Sequence, residues 1–563
     1  MKIFSRERLI DAAQGRIECD LILKNANYLD VFSCEWKIGD LSILDGQIVA
    51  VETGLKGKQI FNAHKKWIVP GFIDAHVHVE SSMMTPRYFQ QAVLSRGTTT
   101  AVCDPHELAN VMGLPGIQYF LESAAQLDLN LRVMLSSCVP ATTMETNGAG
   151  EISAEQLISL AQHPQALGLA EVMNVPGILN KDKKLLKKLE AFEHQPMDGH
   201  CPLLRGQALS AYASTGISSC HESSELEEAK EKLSKGIAIW IREGSVAKDL
   251  KTLLPLLNLA TSTSMGFCTD DRNPLDISVE GHIDHLVRTT IQQGVSAEVA
   301  FRTASWSVAR HYGLNQGPLR IGAIAPGYGA DLVILNDLKT VSLHDTLKSG
   351  KWTSELELPR TLSLSGLTDS IQAALPEVCD LEGPKGRVHV IGVLEGKIIT
   401  EHRVRNSDQR GVAQLSVLER YGHGSKPANG YAEGFGQNFN GAIASSVAHD
   451  SHNLIAVGST SSDMRVAFAA LKETGGGFCV VQHGAVLAQL ALPLGGLMSE
   501  LNPIELKRSL ENLKSASQKI GCVLSEPFLQ LAFLSLPVIP SLKLTDQGLV
   551  QVEKFQIIDV RAS

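Results

Sequence analysis

Val69-Pro-Gly-Phe-Ile-Asp-Ala-His-Val-His-Val-Glu80 is typical of a buried strand that ends in two histidines. Side chains two residues apart in a strand point to the same face. His76 and His78 can therefore approach one metal ion from one side, with Asp74 further back on that face. A His-x-His pair alone is a weak indication of a metal site, so the rest of the chain decides its meaning.

Beyond this strand, short apolar runs alternate with stretches of helical pattern. The eight runs are Gly71–His78, Thr98–Asp104, Leu131–Ser137, Ala166–Glu171, Met197–His200, Gly216–His221, Gly236–Glu243 and Ser264–Asp270. Strands that alternate with helices predict a parallel sheet, and eight such units predict a closed (β/α)8 barrel. The near-continuous apolar character of the runs fits strands that are buried on both faces.

Polar residues stand at the carboxyl ends of these predicted strands, where the active site of such a barrel is built. They are His76, His78, Glu171, His200, His221 and Asp270. For each residue alone, a hydrogen-bonded core histidine or a helix-capping aspartate is the ordinary explanation. Because all six would meet at one mouth of one barrel, we predict a metal site there.

Several motifs resemble one family. They are Gly71–Pro86, Cys103–Glu107, Asp198–Pro202, Cys220–Ser223, Ile241–Ser245, Cys268–Pro274 and Ala442–Asn453. Together they are similar to the bacterial adenine deaminase family of the amidohydrolase superfamily, and the similarity covers most of the chain. The resemblance implies an α/β fold with a TIM-like metal-dependent hydrolase barrel, and an enzyme that hydrolyses adenine to hypoxanthine and ammonia in purine salvage.

The resemblance also implies how the six ligands divide between two divalent ions. His76, His78 and Asp270 would bind one ion, and His200 and His221 the other. Glu171 would bridge them, because strand four has no lysine for the carbamylated bridge of many relatives. Imidazole and carboxylate ligands suit manganese, iron or zinc. We expect manganese.

Such ions lower the pKa of bound water from about 15.7 to about 7, which provides hydroxide to attack carbon 6 of adenine. We expect Asp270 to carry the hydroxide proton to the leaving amine. Ring nitrogen 1 must also gain a proton, for which Glu222 is the first candidate and Glu107 the second. Asp271 is a candidate hydrogen-bond acceptor for the purine edge.

Other polar residues have two interpretations each. Arg242 and Glu243 end strand seven, and they form either substrate contacts or a structural ion pair. The loop with Asp104, His106 and Glu107 is either a polar helix cap or a contact to substrate or metal. The cluster His449, Asp450 and His452, far beyond the barrel, is either a polar turn or a cap from another domain.

At 563 residues the chain is too long for one core. We predict a β-sandwich built from residues 1–66 and 319–375, a barrel over 67–318, and an α+β C-terminal domain over 376–563. Within that domain, Glu395-Gly-Lys397 and His483-Gly-Ala485 predict hairpin turns, and Ser462–Glu473 and Pro503–Ser517 predict helices.

A net charge of −9 argues against a nucleic-acid partner, and no apolar run is long enough for a membrane span. Scattered cysteines without a Cys-x-x-Cys pair fit a reducing compartment. We expect a cytoplasmic enzyme, a homodimer or higher homo-oligomer. Two other functions stay open: a cyclic-amide or N-acyl hydrolase on the same scaffold, and a non-catalytic binding relative, although none of the six ligands is missing.

Overall fold

An eight-stranded sheet is formed by the two segments that flank the barrel in the chain. We describe it, and the rest of the fold, from a computed structural model over residues 5–424 and 426–562. Its strands are β1 (Cys19–Asp30), β2 (Glu35–Leu44), β3 (Gln47–Ala50), β4 (Gly57–Asn62), β5 (Trp67–Pro70) and, after the barrel, β14 (Leu332–Asp337), β15 (Ser342–Lys348) and β16 (Lys351–Trp352). Helix α1 (Arg6–Ala13) precedes it.

The hydrogen bonding of this sheet joins the two flanks directly. The strand order is β16-β15-β14-β5-β1-β2-β3, and β4 pairs with β1 beside β5. The β2–β3 hairpin turns through Asp45 and Gly46, both with positive φ, as a tight two-residue turn requires. Both flanks thus build one sheet, which encloses a core of its own. The exact domain boundaries stay predictions.

Eight parallel strands of the described chain form the barrel, one for each predicted run. They are β6 (Phe72–Val77), β7 (Thr98–Cys103), β8 (Asn130–Leu135), β9 (Ala166–Val172), β10 (Met197–Gly199), β11 (Ser219–Cys220), β12 (Ala238–Arg242) and β13 (Met265–Cys268). The amide of Ser218 donates to the Met197 carbonyl at 3.1 Å and so links β10 to the β11 edge. The amide of His78 donates to the Asp270 carbonyl at 3.3 Å, which joins the last strand to the first.

Helices surround these strands and return the chain to the next one. They are α2 (Pro86–Leu94), α3 (His106–Met112), α4 (Leu114–Ala124), α5 (Ala154–Ala161), α6 (Val175–Leu179), α7 (Lys183–Ala191), α8 (Gly206–Ala213), α9 (Leu226–Ser234), α10 (Leu250–Leu253), α11 (Pro274–Val279), α12 (Ile283–Gln292), α13 (Ala297–Thr303) and α14 (Trp306–His311). The barrel prediction is confirmed, and the carboxyl ends of its strands face the C-terminal domain.

The C-terminal domain contains a second eight-stranded sheet, a small three-stranded sheet and three α-helices among its described residues. The elements are β17 (Arg387–Val393), β18 (Thr400–Asn406), β19 (Val412–Leu418), β20 (Ala428–Glu433), β21 (Ala442–Ser445), β22 (Leu454–Gly458), α15 (Ser461–Glu473), β23 (Gly477–Gln482), β24 (Ala485–Ala491), α16 (Pro503–Lys519), α17 (Pro527–Ala532), β25 (Leu542–Thr545), β26 (Gly548–Gln551) and β27 (Gln556–Ile558). Both predicted hairpins and both predicted helices are present.

The barrel and the C-terminal domain share one continuous hydrophobic core, which includes Leu108 on the barrel side and Leu494 on the other. Polar contacts add to it: the side-chain amide of Asn453 donates to the Thr146 carbonyl at 2.9 Å. The Thr146 amide in turn donates to Asp546 at 3.0 Å. The C-terminal domain is therefore fixed against the barrel mouth. No helix among the described residues has the length and apolarity to cross a membrane.

Candidate active site

His76, His78 and Asp270 meet where the last barrel strand joins the first. The Asp270 amide donates to the His76 carbonyl at 3.0 Å, so the backbone places the three side chains together. Asp270 Oδ1 lies 3.5 Å from His76 Nε2 and 3.2 Å from His78 Nε2. Behind them, the buried Asp74 accepts hydrogen bonds from the amides of Thr269 and His76, which fixes both strand ends.

Glu171, at the end of β9, faces two histidine pairs with its two oxygens. Oε1 lies 3.4 Å from His78 Nε2 and 3.8 Å from His76 Nε2. Oε2 lies 2.5 Å from His200 Nδ1 and 3.3 Å from His221 Nε2. One carboxylate thus joins two groups of ligand atoms, which is the arrangement a bridging ligand requires.

The donor atoms themselves fit divalent cations. His78 Nδ1 lies 3.0 Å from the Asp104 carbonyl, so Nδ1 carries the proton and the Nε2 lone pair faces the site. His76 Nε2 and His78 Nε2 are 3.1 Å apart, and both are directed toward Asp270 Oδ1. Converging lone pairs and carboxylate oxygens at these distances need a positive charge between them. The six residues predicted as metal ligands are brought together.

The local charges keep the two carboxylates ionised. Burial alone would raise the pKa of Glu171, but His200 and His221 hold it well below its usual range. The pKa of Asp270 is also held low against the effect of burial, by hydrogen bonds with His76 and His78. Burial lowers the pKa of His221 to about 4, which leaves a neutral imidazole. Against the effect of burial, Asp270 and Glu171 raise the pKa of His76 and His78, so a cation would displace protons from these two imidazoles when it binds.

His106 belongs to this site, although its sequence position left its role open. Its Nδ1 lies 3.3 Å from Glu171 Oε1 and 3.1 Å from Asp104 Oδ2. The ring also packs edge-on against His78. The signal that points to it is its place just after the end of β7, since the other site histidines occupy equivalent positions on their strands.

Glu107 and Asp271 lie beside the metal ligands and are linked by Ser81. The Ser81 hydroxyl is 2.5 Å from Asp271 Oδ1 and 3.1 Å from Glu107 Oε1. Burial, together with the nearby Asp271 and Glu80, raises the pKa of Glu107 well above its usual range. The raised pKa favours the protonated form of Glu107, which could give a proton.

Arg242, at the end of β12, forms a buried ionic network. It contacts Glu222 closely, lies 3.1 Å from Asp249 Oδ2 and lies 3.3 Å from Asp270 Oδ2. A guanidinium at such a distance favours a charged carboxylate, so Glu222 is better suited to accept a proton than to donate one. The contacts of Arg242 agree with the structural ion pair, one of its two interpretations. Its partner is Glu222, however, and not Glu243.

Glu243 has a different neighbour. Its Oε2 accepts a hydrogen bond from the Leu250 amide at 3.2 Å, at the start of α10. It is not among the described residues that line the cavity. A substrate contact for Glu243 stays a prediction that this geometry does not favour.

A cavity lies over the metal ligands at the barrel mouth, and five of the six line it: His78, Glu171, His200, His221 and Asp270. The barrel contributes its polar wall, including Glu107, Glu222, Arg242 and Asp271. The C-terminal domain contributes the opposite wall. Its residues are Ile398, His449, Asp450, Phe533, Leu536, Val538 and Ile539.

His449, Asp450 and His452 thus cap the barrel mouth from another domain, the first of the two interpretations open at the sequence level. His449 Nδ1 lies 3.5 Å from Glu107 Oε1, and His452 Nε2 lies 3.9 Å from Glu107 Oε2. Asp450 Oδ1 lies 3.9 Å from His106 Nε2. No sequence rule brings a loop of a later domain to this position, because packing between the domains decides it.

Comparison with known proteins agrees with this architecture. Residues 67–353 match the amidohydrolase family, and residues 394–556 match the adenine deaminase C-terminal domain. Adenine deaminase of Sinorhizobium fredii is 45% identical over 566 residues, with 98% of this chain and 99% of that protein covered. Adenine deaminases of Cereibacter sphaeroides and Brucella suis are 45% and 43% identical, each over 98% of this chain and over 99% and 96% of their own lengths. The chain therefore belongs to the adenine deaminase family of the amidohydrolases.

Proposed function

We propose that this chain hydrolyses adenine with water to hypoxanthine and ammonia. The observation that carries the proposal is Glu171, whose two oxygens face separate histidine pairs in the cavity at the barrel mouth. Relatives named adenine deaminase, at 43–45% identity over nearly the whole chain, support adenine as the substrate. None of the six proposed ligands is absent, which argues against a non-catalytic relative.

In this proposal two divalent cations occupy the site, manganese in preference to iron or zinc. His76, His78 and Asp270 would hold one ion, and His200 and His221 would hold the other. Glu171 would provide one carboxylate oxygen to each. When bound, such cations lower the pKa of coordinated water from about 15.7 to about 7. The chain itself supplies the imidazole and carboxylate ligands and, through the C-terminal wall, a cover over the site.

Asp270 is the proposed proton carrier. Its low pKa keeps it ionised and ready to accept a proton from the attacking water. Arg242 lies 3.3 Å from Oδ2, the oxygen that does not face the histidines, and holds the carboxylate in place. The proton then passes to the amine at carbon 6, which leaves as ammonia.

Glu107 is the proposed acid for ring nitrogen 1. It is buried, has a raised pKa that favours its protonated form and is part of the cavity wall, whereas Glu222 is paired with Arg242. The preference between the two candidates is therefore reversed from the one based on sequence position. Asp271, held by Ser81, is the proposed acceptor for the purine edge.

Ammonia release tests the function directly. The full chain is freed of metal and reloaded with manganese, ferrous iron or zinc, and then incubated with adenine, a hydantoin and an N-acetyl sugar phosphate. Ammonia and hypoxanthine from adenine, with little turnover of the other two, is the expected result. Turnover of the hydantoin or the N-acetyl compound without ammonia release from adenine would establish the alternative hydrolase. Cytoplasmic location and homo-oligomeric assembly stay predictions from the sequence.

A further inference from the structure

His449 lies on the C-terminal wall, where it lines both the cavity at the barrel mouth and the adjoining one beside Ser81 and Asp271, and one of its ring nitrogens is unpartnered. Its ring is buried, and Nε2 has no hydrogen-bond partner among the described residues. Its other nitrogen, Nδ1, faces Glu107 Oε1 at 3.5 Å. A buried polar atom without a partner is costly, and in native structures nearly all such atoms are satisfied by protein, water or ligand. In a cavity built for a small molecule, that molecule is the natural partner.

One short segment holds His449 in this position. Its amide donates to the Ala532 carbonyl at 3.1 Å, and its carbonyl accepts a hydrogen bond from the Ser535 hydroxyl at 3.3 Å. Its ring stacks on Phe533, with the centroids 4.6 Å apart and the planes 10° from parallel. Backbone and ring are thus fixed together, so a ligand that meets Nε2 meets a preorganised group.

The electrostatic surroundings leave this imidazole neutral. Burial lowers the pKa of His449, and the opposing effects of Asp271 and Asp450 do not restore it. A neutral imidazole offers one hydrogen-bond donor and one acceptor. The edge of a purine base carries both N–H groups and unprotonated ring nitrogens, so either tautomer finds a complement there.

The wall beside His449 is apolar. Phe533, Leu536 and Ile539 form a small cluster with Ile398 and Val538, and all five line the cavity. Among the described lining residues, Arg242 carries the one guanidinium or ammonium group, and it is already paired with Asp249 and Asp270. Such a wall suits the face of a flat base; apart from His449 and Asp450, its described residues include no polar side chain for ribose hydroxyls and no cation for a phosphate.

We propose that His449 contacts the purine ring directly through Nε2, and that the apolar wall formed by Ile398, Phe533, Leu536, Val538 and Ile539 selects the free base against nucleosides and nucleotides. This inference rests on the proposed function and assigns the C-terminal domain a part in it. The barrel then supplies the chemistry and the contact of Asp271 with the purine edge, and the second domain adds His449 and the apolar wall to the recognition of the base.

Substitution of His449 tests the contact. His449→Phe keeps an aromatic ring against Phe533 but removes both nitrogens, and His449→Gln restores a polar group near the position of Nε2. On the metal-loaded full chain, we expect His449→Phe to raise KM for adenine by about tenfold or more, and to weaken hypoxanthine binding in calorimetry by a similar factor. His449→Gln should recover most of both losses. His402→Phe is the matched control, since His402 lies in the same domain, outside the cavity and exposed.

The outcomes separate this inference from the function on which it rests. A wild-type enzyme that releases no ammonia from adenine would show that the proposed function is wrong. An active wild type, with hypoxanthine binding and KM unchanged in His449→Phe, would overturn the inference alone. If KM and hypoxanthine binding were impaired equally in His449→Phe and His449→Gln, and both variants had a lowered melting temperature, His449 would have a structural role. That result would also overturn the inference.

A second pair of variants tests the wall. Leu536→Ala and Ile539→Ala open space beside the base without touching the metal ligands. We expect kcat/KM for adenosine relative to adenine to rise by about tenfold, because the enlarged cavity can accommodate the ribose together with water that solvates its hydroxyls. A ratio equal to that of the wild type in both variants would contradict selection by this wall.

Discussion

The two walls of the cavity differ in how their residues come together. The barrel wall collects His78, Glu171 and His221 from strands that are distant in sequence, because a closed parallel barrel places all strand ends at one mouth. The C-terminal wall brings His449 and Phe533 to the same mouth through domain packing. The comparison teaches that topology determines the chemical groups, whereas the surroundings of the substrate depend on contacts that no periodic pattern encodes.

The largest effect is expected at the bridging carboxylate. Glu171→Gln removes the charge that both histidine pairs share, so binding of both metal ions should weaken. If the transition state loses several kcal/mol of stabilisation by the metal ions, kcat/KM falls by roughly 10³-fold or more. Metal analysis after gel filtration and the ammonia assay measure it. A Glu171→Gln variant with two bound ions and normal turnover would contradict the role of Glu171 as the ligand shared by both ions.

A smaller but specific loss is expected for the acid on the barrel wall. Glu107→Gln cannot donate a proton, and kcat should fall by roughly 10²-fold or more with the metal content unchanged. Since the pKa of Glu107 is raised and its protonated form is the active one, the wild type should lose activity as pH rises through that pKa. The variant should lack this basic limb in its pH profile.

Glu222→Gln is the comparison for that prediction. The fall in kcat should be smaller for Glu222→Gln than for Glu107→Gln, and the basic limb of the pH profile should remain. If Glu222→Gln removed the limb and Glu107→Gln kept it, the assignment of the acid would return to Glu222.

On the C-terminal wall, we expect the segment that carries His449 to depend on Arg420 for its stability. Arg420 is buried and donates to the carbonyls of Ser446 and His452 at 3.3 and 3.0 Å, on either side of His449. Lysine cannot reproduce this planar set of donors. Arg420→Lys should lower the free energy of unfolding by about 3 kcal/mol or more, as measured by denaturant titration of the metal-loaded chain.

A matched arginine sharpens that result. Arg403 pairs with Glu433 at 2.6 Å on the partly exposed side of the same domain. Arg403→Lys should cost less than about 1 kcal/mol. Equal stability changes in the two variants would contradict the view that Arg420 organises the loop of His449.

The smallest effect is expected at Glu243. The sequence suggested a substrate contact, whereas the structure gives it a hydrogen bond with the Leu250 amide. Glu243→Gln keeps an acceptor oxygen, so stability should change by less than about 1 kcal/mol and KM for adenine should not change. A KM increase of tenfold without a loss of stability would restore the substrate role.

These contrasts explain how much the sequence alone could predict. Alternation of apolar runs located all eight barrel strands, and the strand-end rule brought the six ligand positions together. His106 was left undecided because a polar residue after a strand is often a helix cap. The preference for Glu222 as the acid overlooked its partner Arg242, since the pairing depends on side-chain packing at neighbouring strand ends.

The most direct test of the account is a crystal structure of the manganese-loaded enzyme with anomalous data collected at the manganese edge. We predict two peaks per chain, one beside His76 and His78 and one beside His200 and His221, with one oxygen of Glu171 on each. A single peak, or two peaks without Glu171 between them, would contradict it.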